Sequence, residues 1–93
     1  MTREAFIEVL KREEYSYEIE GDKIIVTHKG VVYLDSITSL PSGVVFKNEG
    51  GVNLPTLTSL PPGVVFKNGG YVDLNALTSL SSGVVFKNEG RVN

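Results

Sequence analysis

The stretches ITSLPSGVVFKNEG, LTSLPPGVVFKNGG and LTSLSSGVVFKNEG begin at residues 37, 57 and 77, so the chain repeats itself every 20 residues. A fixed period of this length makes each unit one supersecondary element that buries its apolar face only by stacking on its neighbour. Set against one another, residues 34–53, 54–73 and 74–93 agree at 12 positions, from Leu34 and Leu40 through Gly43-Val44-Val45-Phe46-Lys47-Asn48 to Gly50 and Val52. Most of the shared positions are core or turn types.

Within a unit, Val44 and Phe46 alternate with Val45 and Lys47, and Val52 and Leu54 alternate with Gly51 and Asn53. This period of two predicts a pair of short, half-buried strands per unit. Asn-X-Gly ending at Gly50, Gly70 and Gly90 supplies one turn, and Pro/Ser-X-Gly ending at Gly43, Gly63 and Gly83 supplies another. The proline-punctuated segment PTLTSLPPG suits an extended or 3₁₀-like connection. Stacking sets each residue over its copy 20 positions away. Columns of Phe46, Phe66 and Phe86 and of Asn48, Asn68 and Asn88 follow, the amides of the second bonding up and down the stack.

The unit VxLxxLTSLPxGVxFxNxG resembles the short leucine-rich-repeat-like units of bacterial and phage-encoded proteins, over residues 30–93. It departs from the LxxLxLxxNxL pattern in that Val64, Phe66 and Asn68 are spaced two and two rather than two and three. The resemblance implies an interaction scaffold without chemistry of its own, often carried on mobile elements.

The first third reads as a cap in register with the repeats. IIVTHKG, residues 24–30, matches VVFKNEG 20 positions on, pairing Ile24 with Val44, Val26 with Phe46 and His28 with Asn48. Upstream, Tyr17 and Ile19 alternate with Glu18 and Glu20 before a Gly21-Asp22 turn, a hairpin signal. Thr2 is placed to cap a helix that has Glu4 in its first turn and carries Phe6, Ile7, Val9 and Leu10 at helical spacing. The expected fold is mostly β: a short right-handed LRR-like β-solenoid of 20-residue coils closed by an N-terminal α-helix and β-hairpin. Residues 1–29 form the helix and hairpin cap and residues 30–93 the repeat solenoid, as one continuous domain.

Composition narrows the function classes. There is no cysteine, which removes disulfides and thiolate sites, and 9 basic residues against 11 acidic give a net charge of −2, too little to steer the chain to nucleic acid or an anionic membrane. MTREAFIEVLKREE holds no apolar run of signal or membrane-spanning length, and the expected location is the cytoplasm. His28 is the single soft ligand and stands in an Asn position of the repeat; the acids are dispersed and the glycines fall at repeat turns. No catalytic residue, metal site or cofactor is expected.

Surface candidates remain. Lys47, Lys67 and Lys87 form an outward column that Glu49 and Glu89 are expected to neutralise, leaving solvated lysines that discourage edge pairing. The outward positions that vary between units, Tyr33, Asn53, Tyr71, Asp73 and Arg91, are expected to form one protein-binding patch, because no packing demand explains a Tyr or an Arg there. The last coil, with Leu80, Val84, Phe86 and Val92, is expected to self-associate as a two-fold homodimer. The expected function is a non-enzymatic scaffold for a protein partner; the alternatives are a phage or mobile-element inhibitor of a host defence protein, and an assembly protein joining copies end to end.

Overall fold

A computed structural model describes residues 1–78 and 83–93. The described residues are mostly β, with one N-terminal helix and eight short strands in two sheets. The helix α1 (Arg3–Arg12) starts where Thr2 Oγ1 accepts the Ala5 amide at 3.1 Å, and Phe6 and Leu10 on its inner face are fully buried. Its end is a Schellman turn: the Tyr15 amide donates to Leu10 O and the Glu14 amide to Lys11 O. Glu14 occupies the left-handed position, φ 61°, that this turn reserves for glycine. Glu14→Gly is therefore expected to raise unfolding stability by about 0.5–1 kcal/mol, read as a higher urea midpoint; a lower midpoint would show that the Glu14 side chain contributes more than its backbone loses.

The strands β1 (Tyr17–Glu20) and β2 (Lys23–Val26) pair antiparallel across Gly21-Asp22, with Gly21 at φ 62°. Every later pairing is parallel and offset by 20 residues. β2, β4 (Val44–Phe46), β6 (Val65–Phe66) and β8 (Val85–Phe86) continue the first sheet in the order β1-β2-β4-β6-β8, with Ile24 opposite Val44 and Val26 opposite Phe46. β3 (Val32–Tyr33), β5 (Val52–Asn53) and β7 (Val72–Asp73) make the second sheet, and Val92 bridges onto Val72. The joining segments turn once, through Ile37 N–H to Leu34 O, Leu57 N–H to Leu54 O and Leu77 N–H to Leu74 O, the 3₁₀-like alternative of the two expected.

Inward residues of both sheets and of α1 form one apolar cluster. Phe46, Phe66 and Phe86 run through it with ring centroids 5.1 Å apart and planes within 5° of parallel, so each 20-residue unit repeats its predecessor's ring orientation. The two conserved glycines of each unit serve different ends. Gly43, Gly63 and Gly83 have φ of 82°, 88° and 89°, a conformation only glycine adopts without strain. Gly50, Gly70 and Gly90 lie outside that region; a Cβ there would stand 2.7–2.9 Å from backbone atoms some 20 residues earlier in the chain.

The asparagine column corrects one expectation. The amides do not bond one another; each reaches to backbone carbonyls. Asn48 Nδ2 donates to Gly30 O, Gly50 O and Gly51 O, and Asn68 Nδ2 to Gly50 O, Gly70 O and Tyr71 O, all at 2.9–3.1 Å. The reason is geometric: the bend at each conserved glycine turns carbonyls inward, and a buried carbonyl takes a donor that a neighbouring amide would otherwise share.

Candidate interaction surface

The outward side of the second sheet is built from two columns. Val31, Gly51, Tyr71 and Arg91 stand one residue before the buried valines Val32, Val52 and Val72 and the bridging Val92; Tyr33, Asn53, Asp73 and Asn93 stand one after. Alternation along each strand turns both columns away from the core, since side chains on either side of an inward valine face outward. The register sets Tyr33 beside Asn53 and Asn53 beside Asp73, and the Val72–Val92 bridge brings Arg91 alongside Tyr71. All five candidate binding residues share one face.

Their environments differ, and one reading is overturned. Tyr71 does answer a packing demand: a Cβ on Gly51 would fall 2.3–2.6 Å from the Tyr71 ring, so the ring lies flat over the Gly51 backbone and buries it. Asp73 uses Oδ1 to accept the Asn75 amide at 3.2 Å, holding the turn after β7. Tyr33 is 53 % exposed and Arg91 is exposed. Tyr33 and Arg91 are thus the side chains with least structural work.

Sequence reasoning missed Tyr15. Its hydroxyl accepts the Tyr33 amide at 2.9 Å and donates to Tyr33 O at 3.4 Å, satisfying both groups on the edge strand β3. The Tyr15 ring also packs on His28, centroids 4.7 Å apart. His28 keeps the backbone role of its Asn counterparts, its carbonyl accepting Glu49 N–H as Asn48 O accepts Gly69 N–H. Among the described residues no three His, Asp or Glu side chains gather as a metal set, and no helix is long and apolar enough to cross a membrane.

The first sheet has its own outward side. Val45, on the outward side of a strand expected to be half-buried, is 7 % exposed, and its strand neighbour Ile25 is 6 % exposed. Lys47, Lys67 and Lys87 flank this row, and neither Glu49 nor Glu89 pairs with them within ion-pair distance: the ion pair among the described residues is Arg12–Glu13 at 3.9 Å. The glutamates sit past the buried asparagine, where the backbone has already bent away from the strand.

Of the residues expected to self-associate, Val84 and Phe86 are half-buried, with Phe86 stacked on Phe66, and Val92 is 42 % exposed; Leu80 lies outside the described residues. Comparison with protein-family models, curated proteins and solved structures returns no match.

Proposed function

We propose that the chain is a short LRR-like β-solenoid acting as a non-enzymatic scaffold for protein–protein interaction, with the outward side of β3, β5 and β7 as its binding face. Two sheets paired in parallel at a constant 20-residue offset support the solenoid reading. The observation that carries the functional reading is the contrast within each coil. Core columns keep Val52, Val72 and Leu54, Leu74 nearly unchanged, while Tyr33, Asn53, Asp73 and Arg91 vary beside them on one exposed face. A repeat whose inward valines and leucines stay fixed while the neighbouring outward positions change presents different side chains on a constant frame, and tyrosine and arginine are the types that anchor interfaces.

The test is affinity capture from a bacterial lysate, quantified by mass spectrometry, with three baits. Wild type should enrich specific proteins; a Tyr33→Ala, Arg91→Ala bait should lose them by tenfold or so, about 1.4 kcal/mol. A control bait with Glu8→Ala and Lys11→Ala, exposed on α1, should retain them. Equal recovery on wild type and the Tyr33, Arg91 variant would remove this face from consideration.

A further inference from the structure

On the outward side of the first sheet, Val45, Val65 and Val85 form a row crossing β4, β6 and β8, with Lys47, Lys67 and Lys87 as a second row two residues along the chain. The two rows line a shallow trough of about 260 Å³, continued on its first-coil end by Ile25, Lys23 and Glu20. On the other flank the positions equivalent to Lys23 are Gly43, Gly63 and Gly83, so that side has no side-chain wall. The trough is apolar on its floor, cationic along one rim and open along the other. Exposure of the floor rises along the stack, from 7 % at Val45 through the half-buried Val65 to 37 % at Val85.

The three lysines are exposed and have no carboxylate within ion-pair distance. Like charges one coil apart repel, and a partner carrying carboxylates at the same spacing relieves that repulsion. The spacing decides what kind of partner. The phenylalanine rings repeat at 5.1 Å and paired strands lie about 4.7–4.9 Å apart, while an α-helix advances about 5.4 Å per turn. A helix lying along the stack therefore offers one apolar and one acidic residue per turn to one Val–Lys pair per unit, drifting about 0.3–0.7 Å per turn. An extended peptide presents same-face residues about 6.6–6.8 Å apart and falls out of step within two coils. A single-stranded nucleic acid needs aromatic platforms for its bases, and no lining residue is aromatic.

We propose that this trough is a docking site for an amphipathic α-helix with acidic residues along one flank of its apolar face. Its apolar side chains rest on Val65 and Val85, and its carboxylates meet Lys47, Lys67 and Lys87. The site is separate from the face formed by β3, β5 and β7.

The experiment is a titration of isotope-labelled protein, followed by amide chemical shifts, with three probes. The first is a synthetic helical peptide of about four turns with leucines on one face and glutamates down one flank. The second is its isomer of identical composition with leucines and glutamates interspersed, and the third a single-stranded DNA oligonucleotide. The patterned peptide should give saturable shifts at Val45, Val65, Val85 and the three lysines. Lys67→Glu should weaken it at least about tenfold and Lys67→Gln less, both on a folded protein because Lys67 is exposed. Tyr33→Ala with Arg91→Ala should leave it unchanged. Equal binding of the interspersed isomer, shifts centred elsewhere, or no shift up to about 1 mM peptide would overturn the proposal. Tighter binding of the oligonucleotide would also overturn it, and would identify the lysine row as a polyanion track.

Discussion

Gly70→Ala is expected to lower unfolding stability by about 2–3 kcal/mol, more than Gly63→Ala, where the glycine has positive φ but open space around it. A Cβ at residue 70 would stand 2.9 Å from Gly51 N and 3.0 Å from Gly50 C. Both neighbours are backbone, which has no rotamer into which to retreat. The two coils must separate locally, and that movement also draws Asn68 Nδ2 from Gly50 O, now 3.1 Å away. Gly63→Ala makes the comparison sharp. There the nearest atom to a new Cβ is Gly43 N at 3.9 Å, and the loss comes from holding an alanine at φ 88°, about 1–2 kcal/mol. Urea unfolding of both variants measures the difference. Equal losses would mean that the coils have room between them and that conformation alone keeps glycine at both positions.

How much of this was legible depends on whether the cause lies within one unit or between units. The register was readable to the residue, including the match of Ile24 with Val44, because alternation and turn residues are local signals that the 20-residue period copies faithfully. The reason for Gly70 was not. Asn-X-Gly marks a bend wherever it occurs, whereas the closeness that excludes a Cβ belongs to the preceding coil. The Gly51–Tyr71 contact left a trace that reading each position alone does not catch. At one column, glycine in one unit is followed by tyrosine in the next, a small residue beneath a large one. Tyr15 left no trace, since it lies outside the repeat and acts through a hydroxyl on the backbone of β3. On the outward side of the second sheet, the shared orientation of Tyr33, Asn53, Tyr71, Asp73 and Arg91 follows from period two. Which of them are free to act does not, because Tyr71 and Asp73 are engaged by contacts that only the folded chain creates.

The largest effect is expected from exchanging one atom type for another at residue 68. Asn68 is fully buried, and its Nδ2 faces the carbonyl oxygens of Gly50, Gly70 and Tyr71 at 3.1, 3.0 and 2.9 Å. Its Oδ1 is buried without a partner. Asn68→Asp keeps the shape but places a carboxylate oxygen against three acceptors, with no donor on its other side. An uncompensated buried charge costs about 3–5 kcal/mol, enough to leave a chain of this size marginal at neutral pH. Asn68→Ala, by contrast, removes the donor without introducing a charge. Each carbonyl keeps another partner, Asn48 Nδ2 at Gly50 O, Asn88 Nδ2 at Gly70 O and Val52 N–H at Tyr71 O, so the loss should be smaller, about 2–3 kcal/mol. The two mechanisms separate by pH. Burial and facing carbonyls raise the introduced aspartate's folded pKa above its unfolded value near 3.9. Its penalty is therefore absent below the unfolded pKa, grows as pH rises through the interval between the two values, and is complete above the folded one. Relative to wild type, Asn68→Asp should recover stability as pH falls from 7 toward about 4, while the deficit of Asn68→Ala stays constant. Urea unfolding of the three proteins across that range is the measurement. A deficit for Asn68→Asp that does not change with pH would show that its carboxylate reaches solvent or a donor, and that the asparagine column is not the sealed seam between coils that its hydrogen bonds describe.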